Sequence, residues 1–331
     1  MNQTILLNKR PSGKPQITDF KFTTEEKPQI QSGEILLKTN YISVDPYLRG
    51  RMNDTKSYVP SFELNKPISS GIIAEVVESK HSEFKTGDFV SGMLEWKEYQ
   101  KSSGEGLMKV DSKAAPLSAY LGILGLTGLT AYLGLSEIGK PQKDETVVVS
   151  GAAGAVGSVA GQIAKIKGCK VVGIAGTDEK VEMLIRKFGF DEGINYKKTK
   201  DMTEAIAAAC PQGVDVYFDN VGGDISDAVL LNINQFARIV VCGAISLYNE
   251  TSLPKSLSVQ PFLVKNSALM QGFIVRNFEA KFPVAVKQLS AWLAEDKLVY
   301  AETIVEGFDQ TPQAFIDLFD GRNKGKMIVK V

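Results

Sequence analysis

The sequence predicts a mixed α/β protein, in which a β-rich part is followed by a doubly wound parallel sheet. Residues 1 to about 120 are rich in apolar, β-branched segments bounded by Gly, Pro and charged residues. From about residue 122, short apolar runs alternate with helical patterns, which indicates a parallel sheet with helices on both faces. A glycine-rich loop also joins the first of these runs directly to a helical pattern.

The β-rich part contains several segments that are typical of strands. "GEILLKTNYISV" and "GIIAEVVES" are apolar and β-branched, and "FKTGDFVSG" (84–92) is typical of a turn that enters a strand. Near the other end of the chain, a helix is predicted around 279–295. "AETIVEGF" and "KMIVKV" follow it as further strands, so we expect the chain to return to its first domain.

The second part contains six apolar runs, with helix-compatible segments between most of them. The runs are "TVVVS" (146–150), "KVVGIAG" (170–176), "EGINY" (192–196), "VDVYFDN" (214–220), "ARIVVCG" (237–243) and "ALMQGFIV" (268–275). In a doubly wound sheet, ligands bind at the carboxyl ends of the strands. Those ends are rich in Gly, Asn and hydroxyl groups, which suits them to wrap a nucleotide.

Composition and charge exclude several classes of protein. Lys+Arg and Asp+Glu are both 38, so the formal net charge is zero, which argues against a nucleic-acid binder that relies on neutralising phosphates. No apolar run approaches the roughly 20 residues that a membrane-spanning helix needs. The N-terminal "MNQTILLNKRPSGKP" lacks a signal-peptide core, so we expect a cytoplasmic protein without membrane or nucleic-acid partners.

The chain contains few cysteine and histidine residues, the usual ligands of zinc. The three cysteines, Cys169, Cys210 and Cys242, are widely spaced and form no CxxC pair. The single histidine, His81, lies in the polar stretch "ESKHSEF" and is expected to be a solvated turn residue. A zinc site built from His and Cys is therefore not expected.

The loop after the first run has the spacing GxxGxxG, formed by Gly151, Gly154 and Gly157. Apolar residues then recur on one helical face, at Val156, Val159, Ala160, Ile163 and Ala164. Glycines permit a tight turn and a close approach to an anion, while a helix N-terminus attracts a pyrophosphate. In this strand–loop–helix setting, the loop predicts dinucleotide binding.

The end of the second strand favours NADP over NAD. NAD-specific sites commonly carry an acidic residue there, but this chain has Gly176. Asp178 and Glu179 follow, and we expect these acids to cap the N-terminus of the next helix. Lys180 lies one turn further, within reach of a 2′-phosphate.

These motifs together resemble a known family. "AAGAVGSVAGQIAKIKGCKVVG", "GTDEK", "FDNVGG", "CGAIS", "GKMIVKV" and "VDPYLRG" (44–50) are similar to zinc-independent medium-chain dehydrogenase/reductases. Within them, the chain resembles the leukotriene B4 dehydrogenase/prostaglandin reductase branch of alkenal and enone reductases. The resemblance implies a GroES-like domain (1–121, completed by 299–331) and a Rossmann domain (122–298). It also implies NADPH-dependent reduction of activated C=C bonds in small-molecule α,β-unsaturated carbonyls, and a homodimer through the Rossmann sheet edge.

The resemblance also implies a set of cofactor contacts. They are Gly154, Ala155, Val156 and Gly157 at the pyrophosphate, Lys180 and Tyr196 at the 2′-phosphate, Asn220 near the cofactor, Cys242, Gly243, Ala244, Ile245, Ser246 and Tyr248 along the adenine and ribose, the backbone of Phe273, Ile274 and Val275 at the nicotinamide, and Asn323 from the C-terminal segment.

Three residues are candidates for catalysis, and at one of their positions this chain differs from several relatives. Tyr47, in "VDPYLRG", is the first candidate for a donor to the substrate oxygen. Several relatives carry a tyrosine eight residues before the position of Phe273, where this chain has Lys265, the second candidate. Tyr248 is the third. An NADPH:quinone oxidoreductase, or a non-catalytic NADPH-binding or sensing protein, remains an alternative to the alkenal reductase.

Overall fold

The computed structural model describes residues 1–252 and 255–331. These residues form two compact units. Unit 1 comprises Met1–Leu121, Thr303–Asn323 and Met327–Val331, and unit 2 comprises Gly122–Glu302 and Lys324–Lys326. The predicted boundary between residues 298 and 299 stays a prediction. In unit 2, the amide of Gln162 donates to the Val299 carbonyl and accepts from its N–H, both at 2.8 Å.

The first part of unit 1 is made mainly of strands. Its elements are β1 (Asn2–Leu7), β2 (Phe20–Glu25), β3 (Ile35–Ser43), α1 (Leu48–Arg51), β4 (Ser69–Ser79), β5 (Phe89–Glu95), β6 (Tyr99–Ser102) and β7 (Met108–Val110). β1 and β2 form a separate antiparallel pair. β3, β4, β5 and β7 are consecutive antiparallel neighbours in a larger sheet, and β6 pairs with β3.

Unit 2 alternates strands and helices along its length. Its elements are α2 (Leu126–Leu133), β8 (Thr146–Val149), α3 (Gly157–Ile166), β9 (Lys170–Ala175), α4 (Asp178–Arg186), β10 (Glu192–Asn195), α5 (Met202–Ala209), β11 (Val214–Asp219), α6 (Gly223–Leu230), β12 (Ile233–Val241), α7 (Gln260–Asn266), β13 (Leu269–Gly272) and α8 (Phe282–Ala294). The six strands lie in the order β10-β9-β8-β11-β12-β13, and all neighbours are parallel. This order is that of a Rossmann sheet, which confirms the predicted fold.

The chain ends with β14 (Glu302–Glu306), α9 (Thr311–Phe319) and β15 (Lys326–Lys330). In unit 1, β15 pairs with β3 in antiparallel register, with Ile328 opposite Ser43. The helix predicted around 279–295 begins later, at Phe282, because residues 275–281 form a 3₁₀ helix and a proline occupies the first turn of α8.

Burial in the central strands explains why the runs of unit 2 were continuous rather than alternating. All four residues of β8 are buried, as expected for a parallel strand covered on both faces. Because such strands point the same way, their carboxyl ends meet at one edge of the sheet, where the candidate site is built. Within the described residues, none of the helices has the length and apolar character needed to span a bilayer.

Candidate cofactor site

The glycine loop, residues 151–157, is a tight backbone turn between β8 and α3. Gly151 adopts a φ of +58°, a region that favours glycine. The Gly154 N–H donates to the Gly151 carbonyl at 3.0 Å. A Cβ at Gly157 would lie 2.5 Å from the Gly151 oxygen and 2.8 Å from the Ala152 Cα. The loop therefore requires glycine at both ends, and it presents backbone at the N-terminus of α3, as a pyrophosphate site does.

The segment Lys324–Lys326 runs along this loop within unit 2. The Gly325 N–H donates to the Ala153 carbonyl at 2.8 Å, and Gly154 and Gly325 form a parallel bridge. Gly325 has a φ of +67°, and a Cβ there would lie 1.9 Å from the Ala301 oxygen. The Lys326 N–H donates to the same Ala301 carbonyl at 2.9 Å. The segment is thus fixed to the loop by its backbone.

The N-terminus of α4 is the centre of a cationic region. Thr177, not Asp178, caps the helix, and its hydroxyl accepts from the Lys180 N–H at 3.2 Å. The ring of Tyr196 covers Gly176, where a Cβ would lie 3.0 Å from a ring carbon and 3.1 Å from the hydroxyl oxygen. Glycine at position 176 therefore makes room for Tyr196. Gly176, predicted from this strand end, contacts Tyr196, which the resemblance implied, and Lys180 lies in the first turn of the helix that follows.

Lys180 is half-buried, and two further lysines lie near it. Burial, together with the charges of Lys197 and Lys324, holds the pKa of the Lys180 ammonium below its usual range. We call Lys180, Lys197 and Lys324 the lysine cluster. The acids beside it have cationic partners, because Glu179 is ion-paired with Lys324 and Asp178 with Lys198. The region is therefore suited to hold a phosphate.

A buried carboxylate organises the carboxyl ends of β8 and β11. Asp219 lies at the end of β11 and accepts five hydrogen bonds. The donors are Ser150 Oγ (2.9 Å), Tyr217 Oη (2.8 Å), Ser226 Oγ (2.9 Å), and the N–H groups of Val221 and Gly222 (both 2.9 Å). The side chain of Asn220, a predicted cofactor residue, donates to the Ser150 carbonyl at 2.7 Å. This network holds the turn after β11 against the start of the glycine loop.

The predicted adenine and ribose segment, residues 242–248, docks on the turn after β11. The N–H groups of Cys242 and Gly243 donate to the Asp219 carbonyl at 2.8 and 3.1 Å. The Ile245 N–H donates to the Asn220 carbonyl at 3.2 Å. The Tyr248 hydroxyl accepts from the Ala244 N–H at 3.3 Å, so it turns back onto its own segment. The two loops form one continuous wall.

The predicted nicotinamide segment, residues 273–275, follows β13. The Phe273 side chain packs inside unit 2, since a Cβ at Gly134 would lie 2.8 Å from the tip of its ring. Val275 is buried in a cluster with Leu129 and Leu133. Two of the three side chains are therefore directed into packing, and the backbone contact of this segment with the nicotinamide stays a prediction.

The candidate catalytic residues lie in different surroundings. Tyr47, in unit 1, directly precedes α1 and is partly buried against the core. Arg49 beside it is buried, and its guanidinium donates to the Pro11 and Gly13 carbonyls and to Asn53, so it is a structural residue of the turn. Lys265, in unit 2, is exposed in the last turn of α7. The roles of Tyr47, Lys265, Tyr248 and Asn323 stay predictions.

Several residues of the site were not found from the sequence. Ser150, Tyr217, Asp219 and Ser226 form the buried network, and Lys197 and Lys324 extend the cationic region. An acidic residue at the end of an apolar run was a usable signal for Asp219. Lys324 had no local signal, because it is 145 residues from its partner Glu179 in the chain.

Comparisons with known proteins cover the whole chain. Residues 3–110 match the family described as the N-terminal domain of oxidoreductase, and residues 155–291 match the family described as zinc-binding dehydrogenase. A putative NADP-dependent oxidoreductase of Bacillus subtilis, YfmJ, is 57% identical over 99% of this chain and 97% of its own length. Prostaglandin reductase 1 of Bos taurus is 45% identical over 98% and 97% of the two chains.

A solved structure is also similar to this chain over nearly its whole length. CurA from Vibrio vulnificus in complex with NADPH is 40% identical and has a TM-score of 0.95, over 99% of both chains. The glycine cradle that a Cβ would fill and the lysine cluster fit this cofactor: residues 154–157 would hold its pyrophosphate, and Lys180 and Tyr196 its 2′-phosphate.

The residues do not fit the zinc that one family description names. Within residues 1–252 and 255–331, no group of three or more His, Cys, Asp and Glu side chains is placed to hold a metal ion. The three cysteines lie in different parts of unit 2: Cys169 directly precedes β9, Cys210 follows α5 and Cys242 follows β12.

Proposed function

The chain belongs to the zinc-independent medium-chain dehydrogenase/reductase family, and we propose that it reduces the activated C=C bond of α,β-unsaturated aldehydes and ketones with NADPH. The observation that carries the proposal is the presence, in one unit, of both the glycine loop and the lysine cluster. The first suits a dinucleotide and the second suits its 2′-phosphate. Together they support NADPH as the reductant.

The cofactor supplies the reactive hydride when it is bound. The residues of the chain therefore have to position the two reactants and stabilise the charge that develops on the substrate. An α,β-unsaturated carbonyl accepts hydride at its β-carbon, and negative charge then develops on its oxygen. The protein must place a hydrogen-bond donor at that oxygen and deliver a proton to the α-carbon. In this proposal, the wall formed by residues 220–223 and 242–248 and the backbone of residues 273–275 orient the reductant.

Tyr47 is the proposed donor to the substrate oxygen. A phenol is a neutral donor, and its hydroxyl is the only group that Tyr47→Phe removes. We expect this variant to lose about 10- to 100-fold in kcat/KM for an enone while the Kd for NADPH stays unchanged. Steady-state kinetics with a fluorescence titration of NADPH measure both. Unchanged kinetics would remove Tyr47 from the mechanism, and Lys265→Met and Tyr248→Phe, measured alongside, test the other two candidates.

The reaction itself is tested with three classes of acceptor. NADPH oxidation is followed with a short 2-alkenal, an aryl enone and a quinone. We expect turnover of the alkenal and the enone, with the saturated carbonyl as product. Turnover of quinones alone would identify a quinone reductase, and NADPH binding without turnover of any acceptor would identify a binding or sensing protein.

A homodimer and a cytoplasmic location complete the proposal. β13 is an edge strand of the unit 2 sheet, and its Leu269 is 47% exposed. The nearby Val264 is 80% exposed. An apolar edge strand is suited to pair with the same strand of a second copy. The three free cysteines fit a reducing compartment. Sedimentation at several protein concentrations tests the dimer.

A further inference from the structure

We propose that Lys324 is a specificity-determining residue, which acts at the 2′-phosphate beside Lys180 and Tyr196 and favours NADPH over NADH. The inference rests on the proposed use of NADPH. It adds to the predicted contacts a residue from the far end of the chain. It gives the segment Lys324–Lys326 a role in binding as well as in packing.

The backbone of this segment places Lys324 in a defined position. Gly325 is bound to Ala153 of the glycine loop, and Lys326 to Ala301, each by a backbone hydrogen bond of 2.8 to 2.9 Å. Gly325 has no room for a side chain, since a Cβ would lie 1.9 Å from the Ala301 oxygen. Lys324 therefore lies on a backbone segment that is already bound to the glycine loop. Little conformational entropy is then lost when the cofactor binds.

The ion pair with Glu179 directs the Lys324 side chain toward the 2′-phosphate region. Glu179 lies in the first turn of α4, one residue before Lys180. A free carboxylate at this position would repel a 2′-phosphate. Lys324 neutralises that carboxylate and brings its ammonium to the same turn of helix. Since the two side chains are 45% and 69% exposed, the pair contributes little to folding.

The lysine cluster has the opposite charge to the ligand group. Lys180 interacts electrostatically with Lys197 and Lys324, and Lys324 is ion-paired with Glu179. Asp178 and Lys198 neutralise each other. A phosphate monoester carries a charge of about −2 at neutral pH. Removal of Lys324 would take one positive charge away from this phosphate and would take from Glu179 its ion-pair partner.

The test compares the affinities of NADPH and NADH for matched lysine variants. We expect Lys324→Gln to raise the Kd for NADPH about fivefold and to change the Kd for NADH by less than about twofold, because only NADPH carries the phosphate. Lys324→Arg should keep most of the NADPH affinity. The dependence of the NADPH Kd on salt should become weaker in Lys324→Gln. Calorimetry or fluorescence titration gives all three measurements.

Lys330→Gln is the matched control. Lys330 is 47% exposed and pairs with Glu306, which is 74% exposed, so this ion pair has nearly the same exposure as that of Lys324. It belongs to unit 1 and is expected to leave both affinities unchanged. The unchanged NADH affinity of Lys324→Gln serves as the check that this variant is folded.

A double variant separates a direct role from the neutralisation of Glu179. If Lys324 contacts the phosphate, Glu179→Gln/Lys324→Gln stays about fivefold weaker for NADPH than Glu179→Gln alone. A double variant with the same NADPH affinity as Glu179→Gln would overturn the direct role, and so would equal losses for NADPH and NADH in Lys324→Gln. A wild type that binds both cofactors equally would overturn the proposed NADPH preference and this inference together. A wild type that prefers NADPH, with Lys324→Gln unchanged, would overturn the inference alone.

Discussion

The glycine loop and the lysine cluster belong to the same unit, yet they are built in opposite ways. The loop is contiguous, spans residues 151–157 and acts through backbone shape, with a positive φ at Gly151 and no space for a Cβ at Gly157. The lysine cluster consists of three side chains from separate parts of the chain, those of Lys180, Lys197 and Lys324. Steric limits within a few residues define the glycine loop. Charges that the fold brings together from distant residues define the lysine cluster.

This difference predicts different responses to mutation. A change in the loop alters the backbone against which any dinucleotide must lie, so it affects NADPH and NADH alike. A change in the cluster alters only the charge around one phosphate. Its effect should be smaller, confined to NADPH and sensitive to salt.

The largest expected effect is that of Gly157→Ala. The added Cβ would lie 2.5 Å from the Gly151 oxygen, a backbone atom that cannot rotate away. We expect the Kd for both cofactors to rise by about 100-fold or more, because about 3 kcal/mol of displaced backbone corresponds to that ratio. Titration with NADPH and NADH measures the loss.

Gly50→Ala is the control for this variant. Gly50 lies in α1, and a Cβ there would meet nothing within 4 Å, so both affinities should stay at the wild-type value. If Gly157→Ala lost NADPH affinity but kept NADH affinity, the contrast between a steric loop and an electrostatic cluster would be wrong.

The same contrast explains what could be predicted from the sequence. The parallel sheet and the glycine loop were predicted because continuous apolar runs and glycine spacing are local consequences of burial and backbone shape. Lys180 and Tyr196 were predicted from a strand end and a family resemblance. Lys197, Lys324 and the Asp219 network were missed, because their partners are distant in the chain and the sequence alone does not place them together. The Thr177 cap was missed because Asp178 offered an equally good one.

The second prediction concerns the cluster itself. Lys180→Ala should raise the Kd for NADPH about 10- to 50-fold, since it removes a charged partner of the phosphate, and change the Kd for NADH little. Parallel titrations at low and high salt measure it. The loss should shrink as salt screens the remaining charges. Equal losses for the two cofactors would assign Lys180 a structural role and remove the contrast with Gly157.

The smallest expected effect is a gain in stability. Burial and two like charges lower the pKa of Lys180 in the folded protein, so the charged ammonium is destabilising when no cofactor is bound. Between this lowered pKa and the usual lysine value of about 10.5, the unfolded chain binds more protons than the folded one. Stability therefore rises with pH across that window, and the full penalty is present below it.

Lys180→Met removes this charge while keeping a long apolar side chain. Without cofactor at pH 7, its Tm should rise by on the order of 1 °C, and the difference from wild type should vanish above about pH 10.5. Lys198→Met, which loses the partner of Asp178, should show no such gain. Thermal unfolding at several pH values, with and without NADPH, tests both. A lower Tm for Lys180→Met at pH 7 would mean that Lys180 stabilises the folded protein. The prediction that its charge lowers the stability of the cofactor-free protein would then be wrong.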